Sequence, residues 1–269
     1  MILAASVNSA LGRAGLLLML AASVFGALAV LYGIRQNDKR LLKQGPMYAL
    51  LAFAGVVLAV VMMQRALITR DFSMAYVQQV GSADPPALYN GAAWWSALEG
   101  SILRGVLILA GFTAAGAWRF RHRTDDVLVG WALIVMFVVS AFFAMLSFGP
   151  ADPFAAGAPG ITSGPGPNPL LQNHILVLFH PPILYLGYVG FTEPFAFAIA
   201  ALVTGRLGEG WLMETRRWAL FSWAFLTIGI LLGGWWSYEV LGWSGVWAWD
   251  PVENASLLPW LTGTAYIHS

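Results

Sequence analysis

Residues 127–148 read VLVGWALIVMFVVSAFFAMLSF. Nothing in this run is charged, and its length is near the ~20 residues that cross the hydrocarbon core of a bilayer. Working outward, six more apolar runs stand at roughly 14–34, 46–64, 94–118, 181–204, 218–236 and 257–269. The last is too short to cross, so it is expected to be the start of a helix that continues in a longer protein. Composition agrees with a membrane chain: 59% of the 269 residues are hydrophobic and 10% are charged, against about 25% charged in soluble domains. Mean hydropathy is +0.71. A net charge of +1 offers no global field for nucleic acid. There is no cysteine, which removes a disulfide framework, a thiolate metal site and a cysteine nucleophile. The run 14–34 exceeds the roughly 7–15 residues of a signal-peptide core and reads as a retained first helix.

Lys and Arg set the expected orientation. Loops 35–45, 119–126 and 205–217 hold ten of them, whereas 65–93, 149–180 and 237–256 hold only Arg65 and Arg70. The basic loops are therefore expected in the cytoplasm, and the N-terminus outside, which in a bacterium is the periplasm. The expected fold is all-α: a polytopic transmembrane helical bundle with a periplasmic Trp-rich amphipathic helix or loop. Residues 1–234 would form helices 1–6 with their loops, 235–258 a periplasmic tryptophan segment, and 259–269 the start of helix 7. The parity also puts DFSMAYVQQ (71–79) and the Pro/Gly-rich loop 149–169 on the tryptophan side.

Four constellations follow. In GVWAWDPVENASLLPW (245–260), Asp250 precedes Pro251 and Glu253. This pattern caps a helix N-terminus. Pro259 should then end a short surface helix at 251–258. Trp235, Trp236, Trp243, Trp247 and Trp249 exceed the one or two tryptophans of an interfacial belt. Gly233, Gly234, Gly242 and Gly245 leave room between them. A flat aromatic shelf suits a large planar apolar ligand such as a porphyrin, and an extended membrane belt is the plainer reading. His180 precedes Pro181 and Pro182, which predicts a ring at the mouth of the fifth span, off any regular helix face. Imidazole is a common ligand of haem iron, and His174 competes with His180 on spacing. His268 is expected about 14 Å into a helix starting at Pro259, near mid-membrane. It would be either a haem ligand or a neutral, hydrogen-bonded imidazole. Glu99, Arg104 and Glu193 receive no chemistry, and His122 reads as solvated. No phosphate-binding, dinucleotide-binding, zinc-protease or hydrolase-elbow motif is present.

WWSYEVLGWSGVWAWDPVENASLLPWL, with FHPPILYLGYVG and DFSMAYV upstream, resembles the CcmF family of cytochrome c biogenesis proteins, including its NrfE relatives. These are the haem lyase components of the bacterial system I (Ccm) pathway, and the tryptophan stretch is similar to their WWD domain. The resemblance implies a multi-pass protein of the bacterial inner membrane. It implies receipt of haem from the chaperone CcmE, retention on the WWD platform, and attachment to the Cys-x-x-Cys-His segment of apocytochrome c, with CcmH/CcmI-type subunits handling the acceptor. Trp235, Trp236, Trp243, Trp247, Trp249, Asp250, Glu253 and Asn254 would form the haem platform. His180 would be one axial ligand of the transferred haem and His268 one ligand of a resident haem b that keeps the working iron ferrous. The second ligand of each pair is expected beyond residue 269. No acid–base residue is expected, because each substrate thiol adds across a vinyl group through positioning. The alternatives are a haem-binding or export module without ligation activity, similar to CcmC, a system II lyase of the CcsA type, and an ordinary transporter.

Overall fold

In the computed structural model, which describes residues 6–82, 92–168, 174–208 and 210–268, the apolar runs fold as helices. The long ones are α1 (Val7–Gln36), α3 (Gly45–Ile68), α5 (Leu98–Arg119), α6 (Val127–Phe148), the consecutive α7 (Leu176–Gly190) and α8 (Thr192–Thr204), and α9 (Gly210–Val240). Shorter pieces are α2 (Lys39–Leu42), α4 (Ala75–Val80) and a 3₁₀ turn at Ala93–Trp95. α10 (Pro251–His268) closes the described chain. Six segments are long and apolar enough to cross a membrane, with α7 and α8 counted together. No strand occurs among the described residues; Met74 and Ala156 form one isolated bridge. The stretches 83–91 and 169–173 of two expected loops, and Ser269, lie outside the described residues.

Helices are forced by the surroundings such sequences enter, because lipid offers no partner to backbone N–H and C=O groups. The residues on the bundle's outer faces fit this, since Leu17, Phe25, Val138, Phe142 and Met145 are exposed. Phe137, Phe154 and Phe197 are fully buried. Small residues bring the helices together. A Cβ on Gly15 would lie 2.5 Å from the Gly55 carbonyl oxygen, and one on Gly55 would lie 2.6 Å from that of Gly15. The α1–α3 crossing is thus a backbone-to-backbone contact. α7 runs antiparallel to α9 in a similar way, with Gly187 against Leu226 and Gly229 against Leu184.

Contacts between loops sort the two ends of the bundle as the charge parity does. At one end Asp126 accepts from Leu128 N at 3.0 Å, caps α6, and pairs with Arg123 (2.8 Å) and Arg206 (2.6 Å). Arg123 also pairs with Glu214. At the other end Ala75 N donates to Ala155 O (2.9 Å), Gly157 N to Ser73 O (2.7 Å), and Gln78 Nε2 to Ala158 O (2.7 Å). Arg13 pairs with Asp152 there. The DFSMAYVQQ segment and the Pro/Gly-rich loop are therefore one folded unit at the sparsely charged end.

Two proline expectations are corrected. Pro259 does not end a helix at 258: α10 runs through it to His268. The missing N–H costs one bond to the Ala255 carbonyl, whereas a break would orphan a whole turn of backbone groups. Side chains also keep the second half of α10 against α9. Trp260 Nε1 donates to Thr227 Oγ1 (2.8 Å), Trp223 Nε1 to Thr264 Oγ1 (2.8 Å), and Thr215 and Tyr266 share a 2.7 Å hydroxyl contact. Pro181 and Pro182 likewise lie inside α7 rather than at its first position.

Candidate functional site

His180 sits in the second turn of α7, not ahead of it. Pro181 cannot donate to the Val177 carbonyl, so that oxygen is left over; Trp95 Nε1 takes it at 3.2 Å. The proline pair thus converts a helix carbonyl into an anchor for the 3₁₀ turn. His180 Nδ1 lies 2.9 Å from Gly229 O. A carbonyl only accepts, so Nδ1 carries the proton and Nε2 keeps its lone pair. That is the arrangement of a ligating histidine, one nitrogen fixed by a backbone oxygen and the other offered to a metal. Gly233 makes room for it: a Cβ there would come within 2.7 Å of His180 Cε1. The Trp236 ring lies over the imidazole at 5.9 Å between centroids, inclined by 33°.

His174 is arranged differently. Its Nε2 meets Glu239 Oε2 at 2.6 Å and its Nδ1 accepts from Leu176 N at 3.3 Å. Glu239 also accepts from Trp235 Nε1. Both nitrogens of His174 are committed, and the group ties the start of α7 to the end of α9. Sequence reasoning missed Glu239, although its spacing four residues after Trp235 places the two on one helix face.

The tryptophans and His180 share the sparsely charged end, but the indoles do not make one flat shelf. Trp235 and Trp236 belong to α9, which runs through Gly233 and Gly234 to Val240 and stops before Gly242, a turn residue with φ of 69°. Trp235, Trp243 and Trp249 are exposed. Trp247 meets Trp249 edge-on, at 83° and 5.9 Å. The indole nitrogens of Trp236 and Trp247 are buried without a hydrogen-bond partner. Trp249 adopts a left-handed φ of 59°, a strained conformation for a bulky residue.

Asp250, Glu253 and Asn254 hold that bend. Asp250 Oδ1 accepts from Val252 N and Glu253 N, both at 2.7 Å. Glu253 reaches back to Ala248 N (2.7 Å), and Asn254 Nδ2 donates to Trp249 O (3.1 Å). With Pro251 as the first helical residue, these are the contacts of a capped N-terminus.

His268 is not at the middle of the bundle. Because α10 starts at Pro251, His268 lies about 26 Å along it. It shares a 410 Å³ cavity with Leu212, Met213, Arg216, Ala219, Leu220, Tyr266 and Ile267, at the basic end of α9. Its Nδ1 contacts Thr264 O at 2.8 Å, which again leaves Nε2 free. Of the remaining polar residues, Arg104 is buried with its guanidinium 4.2 Å from the Tyr185 ring centre, and Glu193 is buried against Gly116. His122 is exposed in the basic loop, as expected.

Among the described residues no group of three or more His, Cys, Asp or Glu could hold a bare metal ion. A porphyrin brings four nitrogens of its own and asks the protein for one or two axial ligands. Two isolated imidazoles, each oriented through Nδ1, fit that demand.

A family model described as Cytochrome C assembly protein matches residues 95–269. The Cytochrome c-type biogenesis protein CcmF of Escherichia coli (strain K12) is 42% identical over 260 residues, 96% of this chain and 40% of that protein. CcmF of Pseudomonas fluorescens is 43% identical over 260 residues, covering 96% and 39%. NrfE of Haemophilus influenzae is 36% identical over 254 residues, covering 94% and 40%. A solved structure titled Cytochrome c Heme Lyase CcmF superposes with a TM-score of 0.86 at 38% identity, covering 100% of this chain and 42% of that one. The chain thus spans about two fifths of the length of the curated relatives it matches.

Proposed function

This chain belongs to the cytochrome c assembly protein family, and we propose that it holds haem at the periplasmic face of the bacterial inner membrane for covalent attachment to apocytochrome c. Haem is the substrate here, delivered by CcmE, and the acceptor is the Cys-x-x-Cys-His segment presented by CcmH/CcmI-type subunits. One observation carries the reading: His180 offers a free Nε2 beside Trp236, at the end of the bundle where Trp235, Trp243 and Trp249 are exposed.

Each residue then has a physical task. Gly229 O fixes the imidazole so that Nε2 meets the iron from one side. The exposed indoles cover porphyrin surface while Asp250, Glu253 and Asn254 hold the bend that sets Trp249. With the substrate's vinyl edge held open to the periplasm, each acceptor thiol adds its sulfur to one vinyl carbon and its proton to the other. Proximity and orientation supply most of the rate, so no side chain need act as acid or base. His268 fits a resident haem b, whose one-electron chemistry would keep the transferred iron ferrous.

The test is reconstitution of the full chain with haem-loaded CcmE and apocytochrome c. Covalent cytochrome c should form with the wild type and be lost in His180→Ala. Haem retention without covalent product in the wild type would instead indicate a carrier similar to CcmC.

A further inference from the structure

A cation lies buried at the same end of the bundle as His180. Arg104 stands six residues after Leu98, the first residue of α5, or about 9 Å along the helix. It is 4% exposed, and its Nε and Nη1 are buried without a hydrogen-bond partner. Its Nη2 reaches only Ser101 Oγ, at 3.5 Å, and that hydroxyl already shares a 2.7 Å contact with Tyr185. Two aromatic rings flank the guanidinium, with centres at 4.2 Å (Tyr185) and 5.4 Å (Trp95). Such rings attract a cation but do not replace an anion, and an unmatched charge inside a membrane protein is costly. Glu99, one turn earlier on α5, does not relieve it: its Oε2 is itself buried without a partner. The cation is also tied to His180. Trp95 Nε1 bonds Val177 O (3.2 Å), three residues before His180 on α7, and Tyr185 comes five residues after it. The guanidinium therefore stands against the part of α7 that presents the imidazole, and its charge acts on His180.

We propose that Arg104 receives one propionate carboxylate of the haem that His180 ligates, and so fixes which edge of the ring turns toward α5. The proposal rests on His180 being the iron ligand at this end and adds the group that orients the substrate. Charge complementarity selects the occupant. The guanidinium lacks an anion, and carboxylates are its strongest common partners. Haem carries two of them, both on one edge. With that edge turned to Arg104, the opposite edge, which bears the vinyl groups, is left toward the exposed Trp235, Trp243 and Trp249. Arg104 is thus a substrate-positioning residue, and its cost to the haem-free protein is recovered when the carboxylate arrives.

The test uses the full chain in a His268→Ala background, so that only the position beside the tryptophans is read, with free-acid haem and haem dimethyl ester as probes. The dissociation constant and optical spectrum of each are measured in this background and after adding Arg104→Leu or Arg104→Lys, together with thermal unfolding of the haem-free proteins. Arg104→Leu should bind free-acid haem roughly tenfold more weakly and the ester unchanged. Arg104→Lys, which keeps the charge, should retain part of the preference for the acid. Haem-free Arg104→Leu should also unfold about 2–4 °C higher, because an unmatched buried cation is gone. Equal weakening of both porphyrins, or an unchanged preference for the acid, overturns the proposal, and a lowered melting temperature beside either result assigns Arg104 to packing. His180→Ala in the same background separates this failure from that of the reading beneath it. Low-spin bands of bound haem that survive His180→Ala remove the ligand role of His180, and the proposal falls with it.

Discussion

At the scale of single residues, what separates a ligand from a bystander is which ring nitrogen is already used. His180 and His268 each spend Nδ1 on a helix carbonyl, of Gly229 and Thr264, and keep Nε2. His174 spends both nitrogens, on Glu239 and Leu176 N. Spacing alone does not choose between His174 and His180, six residues apart, and only the family resemblance singles out His180, because the deciding partner groups lie largely on α9, far along the chain. Gly233 is equally illegible as a single letter: it reads as space between tryptophans, and in the structure it is space for the His180 ring. Gly233→Ala should therefore push the imidazole from its seat, lowering haem affinity and costing about 1–3 kcal/mol of stability. Haem titration and thermal unfolding of the variant check both effects. Unchanged values in both would mean that His180 does not depend on this contact.

At the scale of elements, the apolar runs were readable because lipid imposes helices on them, although several limits moved by one to two helical turns, as from 14 to Val7 and from 218 to Gly210. The prolines misled for the same reason. Their local preferences favour a helix boundary, yet an interrupted segment inside a membrane leaves more backbone groups unpaired than an uninterrupted one. At 181 the lost bond is partly recovered by Trp95, and at 259 indole–hydroxyl bonds hold α10 to α9. The cap at Asp250 was legible, since Asp-Pro-x-Glu is local chemistry. Asp250→Ala should cost about 1 kcal/mol and speed hydrogen exchange in the first turn of α10. Haem affinity should fall only in step with the loosened first turn, through the bend that sets Trp249. A large loss of haem affinity with an intact first turn would move Asp250 from cap to ligand-binding group.

For the whole molecule, charge sorting by loop agrees with the way the two ends fold, and acid should act on both ends. Burial pushes the Asp126 carboxyl up, but bonds from Arg123, Leu128 N and Arg206 outweigh it and hold the group below its ordinary 3.8. Asp71 behaves alike: burial raises it, and bonds from Ser73, Ser6 and Asn8 bring it below 3.8. A folded value below the unfolded one gives stability that is present above about pH 4 and lost as pH falls through the folded value. Thermal unfolding in detergent from about pH 5 to about pH 3 should show this loss, and Asp126→Asn should flatten part of it. An acid slope unaltered by Asp126→Asn would exclude this carboxylate as its source.

The two histidines lie at opposite ends of the bundle, His180 against Gly229 and Gly233, His268 beside Met213 and Arg216. The proposed function therefore calls for two separate iron positions, with transfer at the one beside the tryptophans. The direct measurement is the optical spectrum of the haem-loaded full chain in a His268→Ala background, comparing His180→Gly with His174→Gly, before and after imidazole is added. His180→Gly should lose the low-spin bands and regain them with imidazole, while His174→Gly should keep them throughout. Bands that survive His180→Gly, or vanish in His174→Gly, would contradict the role of His180.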